Sequence, residues 1–370
     1  MKRLPFILLA IVAVIIGLAT AIESAEGSEA AHTLIYGTLW FYVLWGIIAA
    51  SGLRLVVHDR LWRRVEVMML HVAFIVILLG AAMPSETTVQ HLREGMPTTN
   101  MPFSLRLDSF LIDYYPDGQT VYDYRSECSL YDGDTTARHV TISMNNVLTY
   151  GGYRFCQMSF DPDLRGTVLA VRHGTANTLL TIAGYLILIG ASLACIIRRL
   201  KTKRWKILFA LWLTVLISAS LIRWFLATPP DHSILPEWHQ VCFPIDNPVL
   251  RSPYLVIHVG IIITAYVLYA VAVVRPQRDI VFVATMLLAV GIFLGAIWAG
   301  ESWGNFWSWD PKESWALITL IVYAVTLHRR SLPFLANDRY YRLYVRLAFL
   351  VLLMTYLGVN TLLVGLHSYA

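Results

Sequence analysis

Nine stretches of this chain are apolar for long enough to cross a hydrocarbon layer about 30 Å thick. They fall at about 4–22, 34–57, 66–83, 176–197, 206–227, 254–274, 280–299, 312–328 and 343–366. With 57% hydrophobic and 14% charged residues, the chain carries more apolar surface than a soluble core could enclose. The expected fold class is therefore a polytopic α-helical membrane protein of about nine transmembrane helices.

The charges set its orientation. With the N-terminus in the cytoplasm, the inner segments 2–3, 58–64, 198–206, 275–279 and 329–346 hold 18 of the 29 lysines and arginines. The net charge of +5 thus follows the positive-inside rule and gives no ground for nucleic-acid binding. Lys2 and Arg3 precede the first run, and Ala19-Thr20-Ala21 resembles a signal-peptidase site, so a cleaved signal is an alternative to the retained helix expected here. A retained helix puts Glu23, Glu26 and Glu29 outside.

Residues 84–175 read differently. Period-two stretches such as Phe103-Ser-Leu-Arg-Leu and Val140-Thr-Ile-Ser-Met, separated by Asp117-Gly118 and Asp132-Gly133, predict a small β-rich extracytoplasmic domain. A second outer loop, 228–253, is rich in proline. The four cysteines include no CxxC pair, which excludes a thiolate metal site, and no CxxCH, so the chain is not itself a c-type cytochrome. Cys128 and Cys156 fall in the outer domain, where an oxidising compartment would permit a disulfide. Cys195 is expected as a small core residue within a span.

Five of the twelve tryptophans lie between Trp298 and Trp315, in a connection placed on the outer face. Such a surface could bind a large flat ligand or form an interfacial aromatic belt, though belts scatter their indoles and do not concentrate five in one connection. Trp303, Trp307 and Asp310 are spaced for one helical face, with Trp309 pointing elsewhere. Asp310, Pro311 and Glu313 read as a helix start: N-cap, first residue and the third position of a capping box.

Four of the eleven histidines sit in or at the end of a span, namely His71, His258, His328 and His367. An ionisable group in a bilayer is costly to bury unpaired and marks a functional site by default; a neutral imidazole bonded to a backbone carbonyl is the plainer reading of any single one. Their depths make an inner pair, His71 with His328, and an outer pair, His258 with His367. Each pair comes from two helices, as two axial haem ligands would require. Zinc or copper fits less well, because no HxxxH or HxH pattern occurs within a span. His32, His58, His91, His139, His173, His232 and His239 are assigned to solvated surface.

The stretch Trp303-Gly-Asn-Phe-Trp-Ser-Trp-Asp-Pro-Lys-Glu-Ser-Trp-Ala-Leu-Ile-Thr resembles the WWD domain of haem-handling cytochrome c biogenesis proteins, in the form of the CcsA (ResC) branch. Gly358-Val-Asn-Thr-Leu-Leu-Val-Gly-Leu-His-Ser-Tyr resembles that branch's C-terminal element. Gly151-Gly-Tyr-Arg-Phe-Cys-Gln-Met-Ser-Phe-Asp-Pro-Asp and the His71 helix resemble the CcsB (ResB) partner. The chain is thus similar to a compact fusion of the two, a system II cytochrome c synthase. It departs from larger fusions in its smaller outer domain and in nine spans where ten are expected.

The resemblance implies CcsB-like helices over 1–83, the β-rich domain over 84–175, a fourth span over 176–200, and a CcsA-like haem-handling domain over 201–370. It implies that His258 and His367 ligate haem b on the outer side, with Trp303, Trp307, Trp309 and Asp310 as the WWD positions, and that His71 and His328 are the transmembrane ligands. Haem would pass outward and be joined by thioether bonds to the CxxCH cysteines of an apocytochrome c. The implied setting is a bacterial inner membrane, with thiol-reducing membrane proteins as further partners. The chain's own residues would position the substrates and ligate iron, since the nucleophiles belong to the apocytochrome. A haem exporter without ligation activity, a bis-histidine membrane cytochrome b and a structural scaffold are the alternatives.

Overall fold

A computed structural model describes residues 3–83, 86–98, 101–114, 121–133, 137–144, 146–227, 252–329 and 331–363. Its helices are α1 (Leu4–Glu26), α2 (Leu39–His58), α3 (Val65–Ala82), α4 (Thr175–Arg199), α5 (Lys203–Ala227), α6 (Pro253–Val274), α7 (Arg278–Trp303), α8 (Pro311–Val325) and α9 (Asp338–Leu353). A π-helical turn, Met354–Gly358, carries α9 on through Val359–Leu362. Among the described residues, eight helices are long and apolar enough to cross a membrane. The eighth element of the nine expected, α8, has 15 residues and falls short by itself; a 3-10 turn, Thr326–His328, extends it.

Helix α9 begins earlier than hydropathy predicts. The Asn337 side chain accepts a hydrogen bond from the Arg339 amide at 2.8 Å and caps the helix at Asp338, ahead of its apolar run. Its first turns alternate arginines with buried Tyr341 and Val345, so a window that averages hydropathy passes over them.

Helix α7 is the most deeply buried span, packed between α6 and α4. A second cluster joins α1, α2 and α8 through Val12, Ile16, Phe41, Trp45, Leu317 and Ile318. Between α3 and α4 the chain forms seven antiparallel strands in two sheets, ordered β1-β7-β6-β5 and β2-β3-β4. They are β1 (Glu86–Arg93), β2 (Ser104–Tyr114), β3 (Val121–Tyr131), β4 (Arg138–Ser143), β5 (Leu148–Tyr150), β6 (Tyr153–Phe160) and β7 (Gly166–His173). Leu105, Leu107, Cys128, Leu130, Ile142, Phe155 and Leu169 fill the space between the sheets. The Ser126 hydroxyl on β3 donates to Gln157 Oε1 at 2.7 Å and lies 2.9 Å from the Thr167 hydroxyl, so the polar groups in the same interior bond one another across the sheets. Cys128 and Cys156 are separate buried thiols, one on each sheet.

The β-domain is keyed to the end of α7. Arg154 Nη2 on β6 donates to the Gly300 carbonyl at 2.8 Å, and its guanidinium lies 5.0 Å from the centre of the Phe306 ring. Arg172 Nη1 on β7 donates to Asn305 Oδ1 at 3.0 Å. Gly304 closes α7 with φ +72°, and a Cβ there would come within 2.0 Å of Cys156 Sγ. Only glycine satisfies both that conformation and that approach.

Candidate functional site

The connection 304–310, between α7 and α8, is irregular; the continuous helical face expected through Trp303, Trp307 and Asp310 is not formed. Gly304 ends one helix and Asp310 starts the next. Asp310 Oδ1 accepts from the Lys312 amide at 2.9 Å and Pro311 is the first helical residue, which is the helix start expected. Glu313 Oε2 accepts from the Ser308 amide at 2.8 Å, reaching two residues beyond the N-cap. It thereby holds the connection as well as the helix.

Trp309 takes φ +61°, a left-handed conformation that costs a non-glycine residue about 1–2 kcal/mol. Its ring is stacked on Tyr36 (centroids 4.7 Å, planes 10° apart) and meets Phe41 edge-on at 5.4 Å. Trp307 stands perpendicular to it at 5.8 Å, with Nε1 buried and without a hydrogen-bond partner among the described residues. Trp315 Nε1 donates to Thr20 Oγ1 at 3.0 Å. Among the described residues the tryptophans therefore divide among different neighbours and do not form one exposed shelf. Tyr36 lies in the turn before α2 and had no sequence signal. The side chain of Trp303 lies outside the described residues.

His71 and His328 come together. Their ring centroids are 6.1 Å apart with planes 86° to each other. Each bonds the carbonyl four residues before it through Nδ1, to Val67 at 2.8 Å and to Ala324 at 2.9 Å. That bond assigns the proton to Nδ1 and the lone pair to Nε2, the arrangement of a metal-bound histidine. A plain buried imidazole would make the same bond, so the pairing is what distinguishes these two. A metal–imidazole bond of about 2 Å on each side, extended by a ring radius of about 1 Å, places two axial centroids about 6 Å apart. The observed separation of the two rings matches that spacing.

His258 is held differently. Its Nδ1 bonds the Gly291 carbonyl on α7 at 2.7 Å, its ring lies over Gly295, and Trp298 is 6.4 Å away with planes 25° apart. Gly291, Gly295 and Trp298 are spaced i, i+4, i+7, one face of α7. A Cβ at 295 would approach His258 Cε1 to 2.6 Å. This small-residue stripe was readable as GxxxG, a close-packing signal in membrane helices, but nothing in the sequence tied it to His258. His367 lies outside the described residues. Of the histidines expected at the surface, His91 bonds Asp161 at 2.9 Å, and His32 lines a cleft of about 300 Å³ with Glu23, Glu29, Tyr36 and Ser308. His232 and His239 are outside the described residues.

Two family models match the chain. Residues 50–185 match the ResB-like family and residues 274–367 match the cytochrome c assembly protein family. The chain is 37% identical over 150 residues to protein NrfI of Wolinella succinogenes, a match that takes in 33% of this chain and 17% of that protein. It is 50% identical over 86 residues to the cytochrome c biogenesis protein CcsA of Guizotia abyssinica (23% of this chain, 26% of the relative) and 53% identical over 83 residues to that of Guillardia theta (22% and 27%). The chain thus spans about a quarter or less of the length of these relatives.

Proposed function

The chain joins a ResB-like segment to a cytochrome c assembly segment, the fused arrangement of system II cytochrome c biogenesis proteins, and from this we infer that it is a cytochrome c synthase. The single observation that carries the reading is the 6.1 Å approach of His71 to His328 in a chain that also bears the WWD stretch. In it, haem b arrives from the cytoplasmic side of a bacterial inner membrane and is ligated by the inner pair. It reaches His258 and His367 on the outer side, beside Trp303, Trp307, Trp309 and Asp310.

There each apocytochrome thiol adds across one haem vinyl group, sulfur to one carbon and hydrogen to the other, so the reaction consumes no oxidant or reductant. The chain's own contribution is to ligate and orient haem and exclude water from it. In this reading both halves handle haem, His71 from the ResB-like part and His258, His328 and His367 from the part after residue 200. Thiol-reducing membrane proteins keep the CxxCH cysteines available.

Co-expression with an apocytochrome c in a host lacking its own maturation system tests the reading. Covalent haem should appear in the cytochrome with the wild-type chain and fall at least tenfold with His258→Ala, while His71→Ala should lower haem bound to the synthase. A product without covalent haem would refute the synthase and leave a haem exporter.

A further inference from the structure

Arg154 and Arg172 stand directly opposite each other on β6 and β7. Like charges in that position repel, and their side chains share one face of the sheet. That face meets Gly300–Phe306, where Arg154 and Arg172 make the contacts with Gly300, Asn305 and Phe306 given above. Arg154 is only 7% exposed. Among the described residues neither arginine forms an ion pair, and Glu301, the carboxylate on the adjoining turn, pairs with neither.

The donor count shows what these bonds leave over. Arg154 uses one N–H group on the Gly300 carbonyl, and its Nε is buried without a partner among the described residues. Arg172 uses Nη1 on Asn305 and Nε on Thr87 Oγ1 at 3.3 Å. A guanidinium has five N–H donors, and the two together leave most of theirs unspent. Closing the last turn of α7 calls for one cation at its carbonyl end and gives no reason for a second opposite the first. Burial also pushes the Arg172 guanidinium below its ordinary pKa, with Arg154 adding to the effect.

We propose that Arg154 and Arg172 form the carboxylate-binding edge of the haem site, receiving the two propionates of the porphyrin held at the WWD connection. The assignment rests on the haem reading above. Two carboxylates on one edge of a flat ligand match two guanidinium groups on adjacent strands, and each contact is a charge-assisted hydrogen bond. Anchoring that edge turns the vinyl edge away from the β-domain and decides which vinyl group meets which thiol. Arg154 and Arg172 would then be positioning residues for the attachment.

The same carboxylate chemistry could come from acidic side chains of the apocytochrome, so the test uses haem and its dimethyl ester, in which both propionates are blocked. Purified protein carrying His71→Ala and His328→Ala, which leaves the outer site, is titrated with each porphyrin and followed by its absorption spectrum. The parent should bind the ester about tenfold or more weakly than the acid. With Arg154→Gln or Arg172→Gln that ratio should fall toward one, whereas loss of a merely structural contact would weaken both porphyrins alike. Should Arg154→Gln fail to fold, Arg172→Gln and Arg154→Lys carry the same comparison. Equal binding of acid and ester by the parent, or an unchanged ratio in the Gln variants, would overturn the proposal. So would variants that keep the ratio but lose apocytochrome binding, which would hand the arginines to that partner. If the parent outer site binds neither porphyrin, the haem reading itself fails and takes this assignment with it.

Discussion

At Asp310 a helix cap and a WWD position coincide, and two substitutions separate them. Asp310→Ala removes the acceptor for the Lys312 amide and should cost about 1 kcal/mol of stability, read as a lower unfolding temperature. Asp310→Asn keeps an acceptor there, so it should keep that temperature; if holocytochrome yield falls all the same, the carboxylate charge has a role beyond the cap. Gly295→Ala is the second residue-scale expectation. Its Cβ would meet the His258 ring at 2.6 Å, so the ring must leave its seat and the outer-haem absorbance should drop with His258 itself intact. The sequence made His258, His71, His328 and Asp310 legible because each breaks a local rule, an imidazole in an apolar run or a cap residue before proline. It hid Tyr36, Gly295, Arg154 and Arg172, whose meaning lies in partners far along the chain: Trp309, His258, Gly300 and Asn305.

Elements were easier to read than their neighbours. Eight of the nine expected spans and the β-rich segment follow from runs and alternation, which are local properties. The short α8 and the irregular connection before it do not, since a helical spacing of tryptophans persists in a segment that Gly304 has already released from the helix. Within the β-domain the two thiols make a testable pair. Burial pushes Cys128 up to about 12 and Cys156 up to about 11, from an ordinary 9.0. Below pH 9 both are neutral whether folded or unfolded, and their contribution to stability is intact. As pH rises from about 9 toward 11–12 the unfolded chain ionises first and binds fewer protons, so stability falls. The intact protein in detergent should therefore resist iodoacetamide at pH 8 at both positions, react at both once denatured, and lose thermal stability above pH 9 less steeply when Cys128 is replaced by Ala.

At the scale of the whole molecule, the ionic contacts between helices gather at the end of the bundle away from the β-domain. Arg198 pairs with Glu66 at 2.6 Å, Arg199 with Asp279, and Arg278 with Asp338 at 3.0 Å while also bonding the Leu335 carbonyl. These exposed pairs are worth little individually. Single cysteines introduced at Lys201 and at Thr141 should label from opposite sides of the membrane, with Lys201 on the side that the charge count expects to be cytoplasmic.

The junction of Arg154, Arg172 and Cys156 with Gly300–Phe306 also bears on how the protein is made. A ribosome delivers the strands long before it delivers the tryptophan connection, since Arg172 precedes Asn305 by 133 residues. Domains fold in the order they emerge, so the β-domain stands finished on its side of the membrane when α7 is inserted. The connection is then cast against an existing template. In nascent chains of increasing length, Cys128 should become unreactive as soon as the strands are out, and Cys156 only after Gly304 has crossed.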